Sequence, residues 1–150
     1  MLPQILNAHV PEELKELRKK SKRIANVDDT CRNVCVMLID CMYANQGIGL
    51  AAPQVGIHKR VIIVDDNGYP LTLINPEITS TSSNKVTLNE GCLSVPEHYE
   101  DKERPESITV KYRNLKGRTV KQTFTSLLSR IIQHEIDHLD GVIFTDNHNL

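Results

Sequence analysis

The segment QHEIDH, residues 133–138, carries the pattern H-E-x-x-H. On an α-helix, positions i and i+4 project from one face, so His134 and His138 can present imidazole nitrogens to one ion. Glu135, beside the first histidine, can reach a water on that ion. Zinc and its neighbours accept imidazole readily, and a catalytic site keeps one position open for water. The ion then makes that water acidic enough to supply hydroxide near neutral pH. The pattern is short and also arises by chance on solvated helices. Here Ile131, Ile132, Ile136 and Leu139 flank it, which places the helix in a core where a buried imidazole needs a partner.

Two histidines leave such a site incomplete. Downstream of His138 the candidate ligands are Asp140, Asp146 and His148, all near the end of the chain. The metzincin continuation H-x-x-G-x-x-H holds as far as Gly141 and then meets Phe144. A third ligand is therefore expected upstream. Cys31, Cys35 and Cys41 share an apolar helical stripe with Val34, Leu38 and Met42, and are read as small buried hydrophobes. Cys92 stands apart, in the polar, glycine-containing bend NEGCLS at 89–94. A thiolate there can complete a Cys-His-His set. Taken without the helix motif, it reads as an ordinary buried or surface thiol.

The run GIGLAA at 47–52 matches the G-x-G-x-x-A dinucleotide fingerprint, with Asp65 and Asp66 at a fitting distance. That fingerprint must follow a strand and open a helix. Here a helical stripe precedes it, and Pro53 stands where the helix would continue. The glycines are better read as letting the backbone approach something closely, with the Gln54 amide beside that approach.

These residues need elements to hold them. A short helix is expected over 11–20, opened by Pro11 with acids in its first turn. The cysteine stripe predicts a second helix, capped by Asp28 or Asp29. VIIVD from Val61 is strand-like, and DNG after it is a turn. LTLINPEI is a further strand candidate, interrupted by Pro76. Residues 107–113 and 118–124 alternate around NLKG, the pattern of a hairpin. A last helix is expected from about 126 to 139, stopped by Gly141. Helices combined with runs of strands on short turns predict an α+β fold: small antiparallel or mixed sheets packed around the C-terminal helix that carries H-E-x-x-H.

The chain has 150 residues, which is most simply one domain over 1–150 with a core that needs no disulfide. Its formal net charge of −1 provides no electrostatic footing for nucleic acid or an anionic membrane. The longest apolar run, Val34 to Ile39, is far too short to span a bilayer. No basic segment followed by an apolar one opens the chain, so a cytoplasmic setting is expected, and the four cysteines are read there as thiols.

Together, GIGLAAPQ at 47–54, EGCLS at 90–94 and QHEIDH at 133–138 resemble, in order and at suitable spacing, the three signature motifs of peptide deformylase. The likeness extends from LRKKSKRI and the cysteine helix to GVIFTD, most of the chain. The resemblance implies a hydrolase that removes the formyl group from N-formylmethionyl termini, its partner being the nascent peptide at the ribosome. By resemblance, Cys92 is the third ligand beside His134 and His138. The ion implied is divalent, Fe2+ in the cell, with Zn2+, Ni2+ or Co2+ as substitutes. Glu135 is implied as the proton carrier, with the Gln54 amide and the Leu93 backbone N–H as donors to the developing oxyanion. Gly47, Ile48, Gly49, Leu88, Glu90, Gly91, Leu127 and Ile131 are the implied substrate-binding residues. The chain departs from the pattern in places. Ser126 and Ser129 stand where many members have Gly and Ala, Arg130 faces a region that in relatives is usually apolar, and residues 2–10 do not look like the usual opening strand. The short C-terminus suits a bacterial, organellar or viral member. Two other readings of the same residues are an H-E-x-x-H metallopeptidase and a closed Cys-His-His zinc module.

Overall fold

The computed structural model describes residues 1–146, and the weak ligand candidate His148 falls outside them. The fold is α+β. It opens with α1 (Pro11–Leu17) and α2 (Asp29–Ala44), then a short strand β1 (Gly49–Ala51) and a 3-10 turn (Ala52–Val55). Six further strands follow: β2 (Val61–Asp66), β3 (Tyr69–Thr81), β4 (Lys85–Cys92), β5 (Val95–Pro105), β6 (Ser107–Arg113) and β7 (Thr119–Thr125). The last described element is α3 (Ser126–Leu139). One antiparallel sheet runs β1-β2-β3-β6-β7, and β4 and β5 form a separate two-stranded ribbon.

Local chemistry accounts for most boundaries. Asp28 caps α2 by accepting from the Cys31 backbone N–H at 2.9 Å. Asn67 and Gly68, both at positive φ, make the two-residue turn between β2 and β3. The expected hairpin is β6–β7, in register from Ser107↔Thr125 to Arg113↔Thr119.

Three elements differ from expectation. Helix α1 stops at Leu17 rather than near Lys20, because the chain there turns to bond elsewhere: the Ser21 N–H donates to the Leu139 carbonyl and the Lys22 N–H to the His58 carbonyl. Strand β3 continues through Pro76. A register shift between Ile74 and Glu77 absorbs the proline's missing donor. Asn75, at φ 51°, fixes the bulge by exchanging side-chain bonds with the Ile24 backbone. Strand β5, VPEHYEDKERP, is not signalled by the sequence at all. Both faces of the β4–β5 ribbon are largely solvated, so no apolar alternation develops.

Strand β2 is the pivot of the core, buried on both faces. Ile62 and Val64 pack with Ile131, Ile132, Ile136 and Leu139 of α3. Val61 and Ile63 pack with Cys35, Leu38 and Met42 of α2. This two-period alternation sets the sheet between the two long helices and holds the apolar face of α3 in place. The ribbon brings Cys92 beside α3, within reach of His138. No helix among the described residues is long and apolar enough to cross a membrane.

Candidate metal centre

His134 and His138 lie one turn apart on α3, their ring centroids 5.1 Å from each other. Both are buried, at 7% and 1% exposure. Cys92 reaches them from the last position of β4, with its Sγ 3.3 Å from His138 Nε2. One donor atom from each of the three residues falls within 4.8 Å of the others, and no further such group occurs among the described residues. A soft thiolate with two imidazoles is a donor set that borderline divalent ions accept. The half-buried thiol and the two buried imidazoles therefore fit a metal.

One of the three, His134, is held by a carboxylate. Glu90 precedes Cys92 by two positions on β4 and is 6% exposed. Its Oε1 accepts from His134 Nδ1 at 3.0 Å, which turns the other ring nitrogen toward the thiol. A buried carboxylate must itself be compensated. Arg104 of β5 does this with two bonds, Nε to Oε2 at 2.6 Å and Nη2 to Oε1 at 3.0 Å, and its Nη1 reaches Asp137 Oδ2 at 3.0 Å. Arg130 of α3 adds Nη1 to Oε2 at 2.6 Å. Burial alone raises the Glu90 carboxyl, but the bonds from His134 and Arg104 outweigh it and hold the group well below the usual carboxylate range. Burial pulls His134 down, yet its bonds to Cys92 and Glu90 push it up to about 10. His138 is held well below its ordinary value by burial and by His134 beside it. The guanidinium of Arg130 is thus held by polar groups, while Leu127 and Ile131 stand beside it in a cavity wall.

Glu135 is 5% exposed, and its Oε1 has no hydrogen-bond partner in the protein. Burial pushes its carboxyl up to about 7, against the pull of His134 and Arg104. The glycine run gives this side chain its space: a Cβ on Gly49 would stand 2.6 Å from Glu135 Oε2 and 2.8 Å from Ile131 Cγ2. Gln54, 1% exposed, is locked from both ends. Its Oε1 accepts from the Ala51 N–H at 2.9 Å, and its Nε2 donates to Ser94 Oγ at 3.1 Å and lies 3.7 Å from Cys92 Sγ. Leu93 follows Cys92 in the turn into β5, its side chain against Gly47, where a Cβ would stand 2.8 Å from Leu93 Cδ1.

An open cavity of about 440 Å3 joins these groups, bordered by Gln54, Cys92, Leu93, His134 and Glu135. Gly47, Ile48, Gly49 and Gly91 also line it. A smaller cavity of about 100 Å3 lies beside it, sharing Ile48, Gly91, His134 and Glu135, and lined further by Glu90, Leu127 and Ile131. Leu88 is not among its walls. It lines a third cavity with Val86 and Leu127. Asp140 and Asp146 point elsewhere, into ion pairs with Arg60 and Arg18. Phe144, at the position of a metzincin histidine, packs against His134 with the rings tilted by 39° and their centroids 5.7 Å apart.

Sequence reasoning did not find Arg104, Ser94 or the pairing role of Asp137. Their signal is only indirect: a glutamate and a glutamine held in a core must find partners, and these partners come from β5, the turn before it and α3.

A family model described as polypeptide deformylase matches residues 4–150. A Picosynechococcus protein named peptide deformylase is 50% identical over 137 residues, covering 88% of this chain and 73% of its own. The crystal structure of peptide deformylase from Thermotoga maritima superposes with a TM-score of 0.91 at 37% identity, covering 97% of each chain. That of a probable peptide deformylase from a Synechococcus phage superposes with a TM-score of 0.90 at 40% identity, covering 96% of this chain and 98% of that one. Identity at this level over nearly the whole length carries more than a shared fold: the chain belongs to the polypeptide deformylase family, enzymes that remove the N-formyl group from formylmethionyl peptides in a metal-dependent reaction.

Proposed function

We propose that residues 1–150 form one catalytic domain in which Cys92, His134 and His138 hold a divalent ion and Glu135 moves the proton as formate is cleaved from formylmethionyl chains. When bound, the ion supplies a Lewis acid that acidifies water and polarises the formyl carbonyl. The chain does the rest. Glu90 orients His134 through Nδ1, and Arg104 keeps Glu90 charged. Glu135 takes the water's proton on its free Oε1 and returns it to the leaving amine. A carboxyl near 7 can do both at neutral pH. Gln54 Nε2 and the Leu93 backbone N–H are the donors to the oxyanion. Gln54 is held ready by Ala51 and Ser94, so it reorganises little during the reaction. Gly47, Ile48, Gly49 and Gly91 offer backbone to the peptide, and the 100 Å3 cavity with Leu127 and Ile131 receives the methionine side chain. Ferrous iron is the ion proposed for the cell. The substrate is a nascent chain leaving the ribosome, so the enzyme works in the cytoplasm or an organellar matrix.

The observation that carries this reading is a buried, unpartnered Glu135 carboxylate beside three converging metal donors, with a cavity over them. A structural zinc module would be closed by four protein ligands, and three converge among the described residues. It would also leave Glu135 and Gln54 without a task. Glu135→Gln tests the assignment. It should retain metal, because the side chain is not a ligand, and lose a hundred- to ten-thousand-fold in formate release, in the range of about 10²–10⁴ typical of a general acid–base group. A metal-replete variant that deformylates at the parent rate would remove Glu135 from the mechanism.

A further inference from the structure

Two cavities meet at a shared wall. The 100 Å3 cavity beside the metal donors and a separate cavity of about 190 Å3 share Leu127 and Arg130 as walls. The larger one lies under the ribbon, bounded by Val86 and Leu88 of β4, Pro105 and the start of α3 at Ser126. Nothing in the deformylation chemistry uses it.

Arg130 is built to stay where it is. Its side chain is 7% exposed. Besides its bond to Glu90, Nη1 donates to the Lys102 carbonyl at 2.9 Å and Nη2 to the Val86 carbonyl at 2.5 Å. One guanidinium therefore ties α3 to both strands of the ribbon. Its planar fork makes three bonds in fixed directions, which a lysine cannot reproduce. Arg104 already gives Glu90 two bonds, so neutralising Glu90 is not what only Arg130 supplies. What only Arg130 supplies is a rigid partition between the two cavities.

We infer that Arg130 closes the far end of the methionine pocket and sets the longest side chain that the enzyme accepts at the first residue. The inference rests on reading the 100 Å3 cavity as that pocket. A side chain of methionine's length ends at the guanidinium. A longer one would have to displace a group with three buried bonds. Shortening Arg130 joins the two cavities, and the added room is lined by Leu88, Val86 and Leu127, which favours unbranched hydrocarbon.

The test compares formyl peptides that begin with norleucine and with 2-aminooctanoic acid, whose side chain is two methylenes longer. For wild type, Arg130→Ala, Arg130→Gln and Arg130→Lys, kcat/KM for formate release is measured on each peptide. Calorimetry of the unformylated products adds a binding readout that needs no turnover. The ratio of long to short substrate should rise about tenfold or more in Arg130→Ala and Arg130→Gln, the scale at which pockets discriminate a methylene. Product binding should shift the same way, and Arg130→Lys, which keeps the length of the wall but not the bonds that fix it, should fall between wild type and Arg130→Ala. A role confined to stability would lower the melting temperature of the variants and leave both ratios unchanged, and that result overturns the inference. If Arg130→Ala does not fold, Arg130→Gln decides, since it keeps a donor for the strand carbonyls. A binding shift without formate release from any peptide would uphold the partition and count against the deformylase mechanism instead.

Discussion

At the residue scale, the four cysteines divide sharply. Cys31, Cys35 and Cys41 are buried among Leu38, Met42 and Ile63. Burial, with Cys31 beside it, pushes the Cys35 thiol up to about 12, so it stays protonated and a poor ligand. Cys92 alone faces two imidazoles. Cys92→Ser should therefore lose most of its metal, because a hydroxyl is a far weaker donor than a thiolate. Alanine at positions 31, 35 and 41 should leave metal content intact and cost about 1–2 kcal/mol of stability each, as modest core truncations do. Metal analysis of the four purified variants, alongside denaturant unfolding, separates the two classes. Loss of metal from a folded Cys35→Ala would move the centre to α2. Glu90 calls for a second test at this scale. Its folded carboxyl sits below its ordinary value of 4.5, so the stability it contributes is fully present above about pH 4.5 and is lost as pH falls toward the folded value. Glu90→Gln leaves two buried guanidiniums undercompensated and should cost about 3–5 kcal/mol at neutral pH. The gap between wild type and variant should narrow as urea melts are taken to lower pH below 4.5. A gap independent of pH would mean that the charge on Glu90 is not what stabilises the network.

At the element scale, α3 and β1 are in contact through a glycine. Methyl addition at Gly49 meets Glu135 Oε2 and Ile131 Cγ2 at distances real Cβ atoms do not adopt. Gly49→Ala should push Glu135 from its position, lowering formate release at least tenfold while overpacking costs about 1–3 kcal/mol. Thermal unfolding and a formate assay on the same preparation check both, and an unchanged rate would mean that Glu135 tolerates displacement. Elements such as α3 were legible in the sequence because their evidence is local: a helical apolar stripe, two histidines at i and i+4, a glycine stop. The turn at Asn67-Gly68 and the β6–β7 hairpin were legible for the same reason. Strand β5 was not, since a solvated ribbon imposes no alternation on EHYEDKER. The passage of β3 through Pro76 was hidden because the bulge depends on Asn75 bonding to Ile24, far away in the chain. The partners of Glu90 were hidden likewise, arriving from β5 and α3.

At the scale of the whole molecule, the sheet and the two long helices form a rigid frame. The ribbon is joined to α3 by Arg104, Arg130, Gln133 and His134. Of the three proposed metal donors, Cys92 lies on the ribbon and His134 and His138 lie on α3. An ion held by all three would link the two elements, so binding it should be felt as stability as well as activity. This coupling gives the most direct test of the central claim, that Cys92, His134 and His138 together hold the ion that makes deformylation possible. Metal-free protein is titrated with Co2+ under anaerobic conditions while formate release from a formylmethionyl peptide and the melting temperature are followed. Activity and melting temperature should rise together, reach a plateau at one equivalent, and show no such rise in Cys92→Ser. Full activity before metal is added, or a Cys92→Ser titration that matches wild type, would contradict the account.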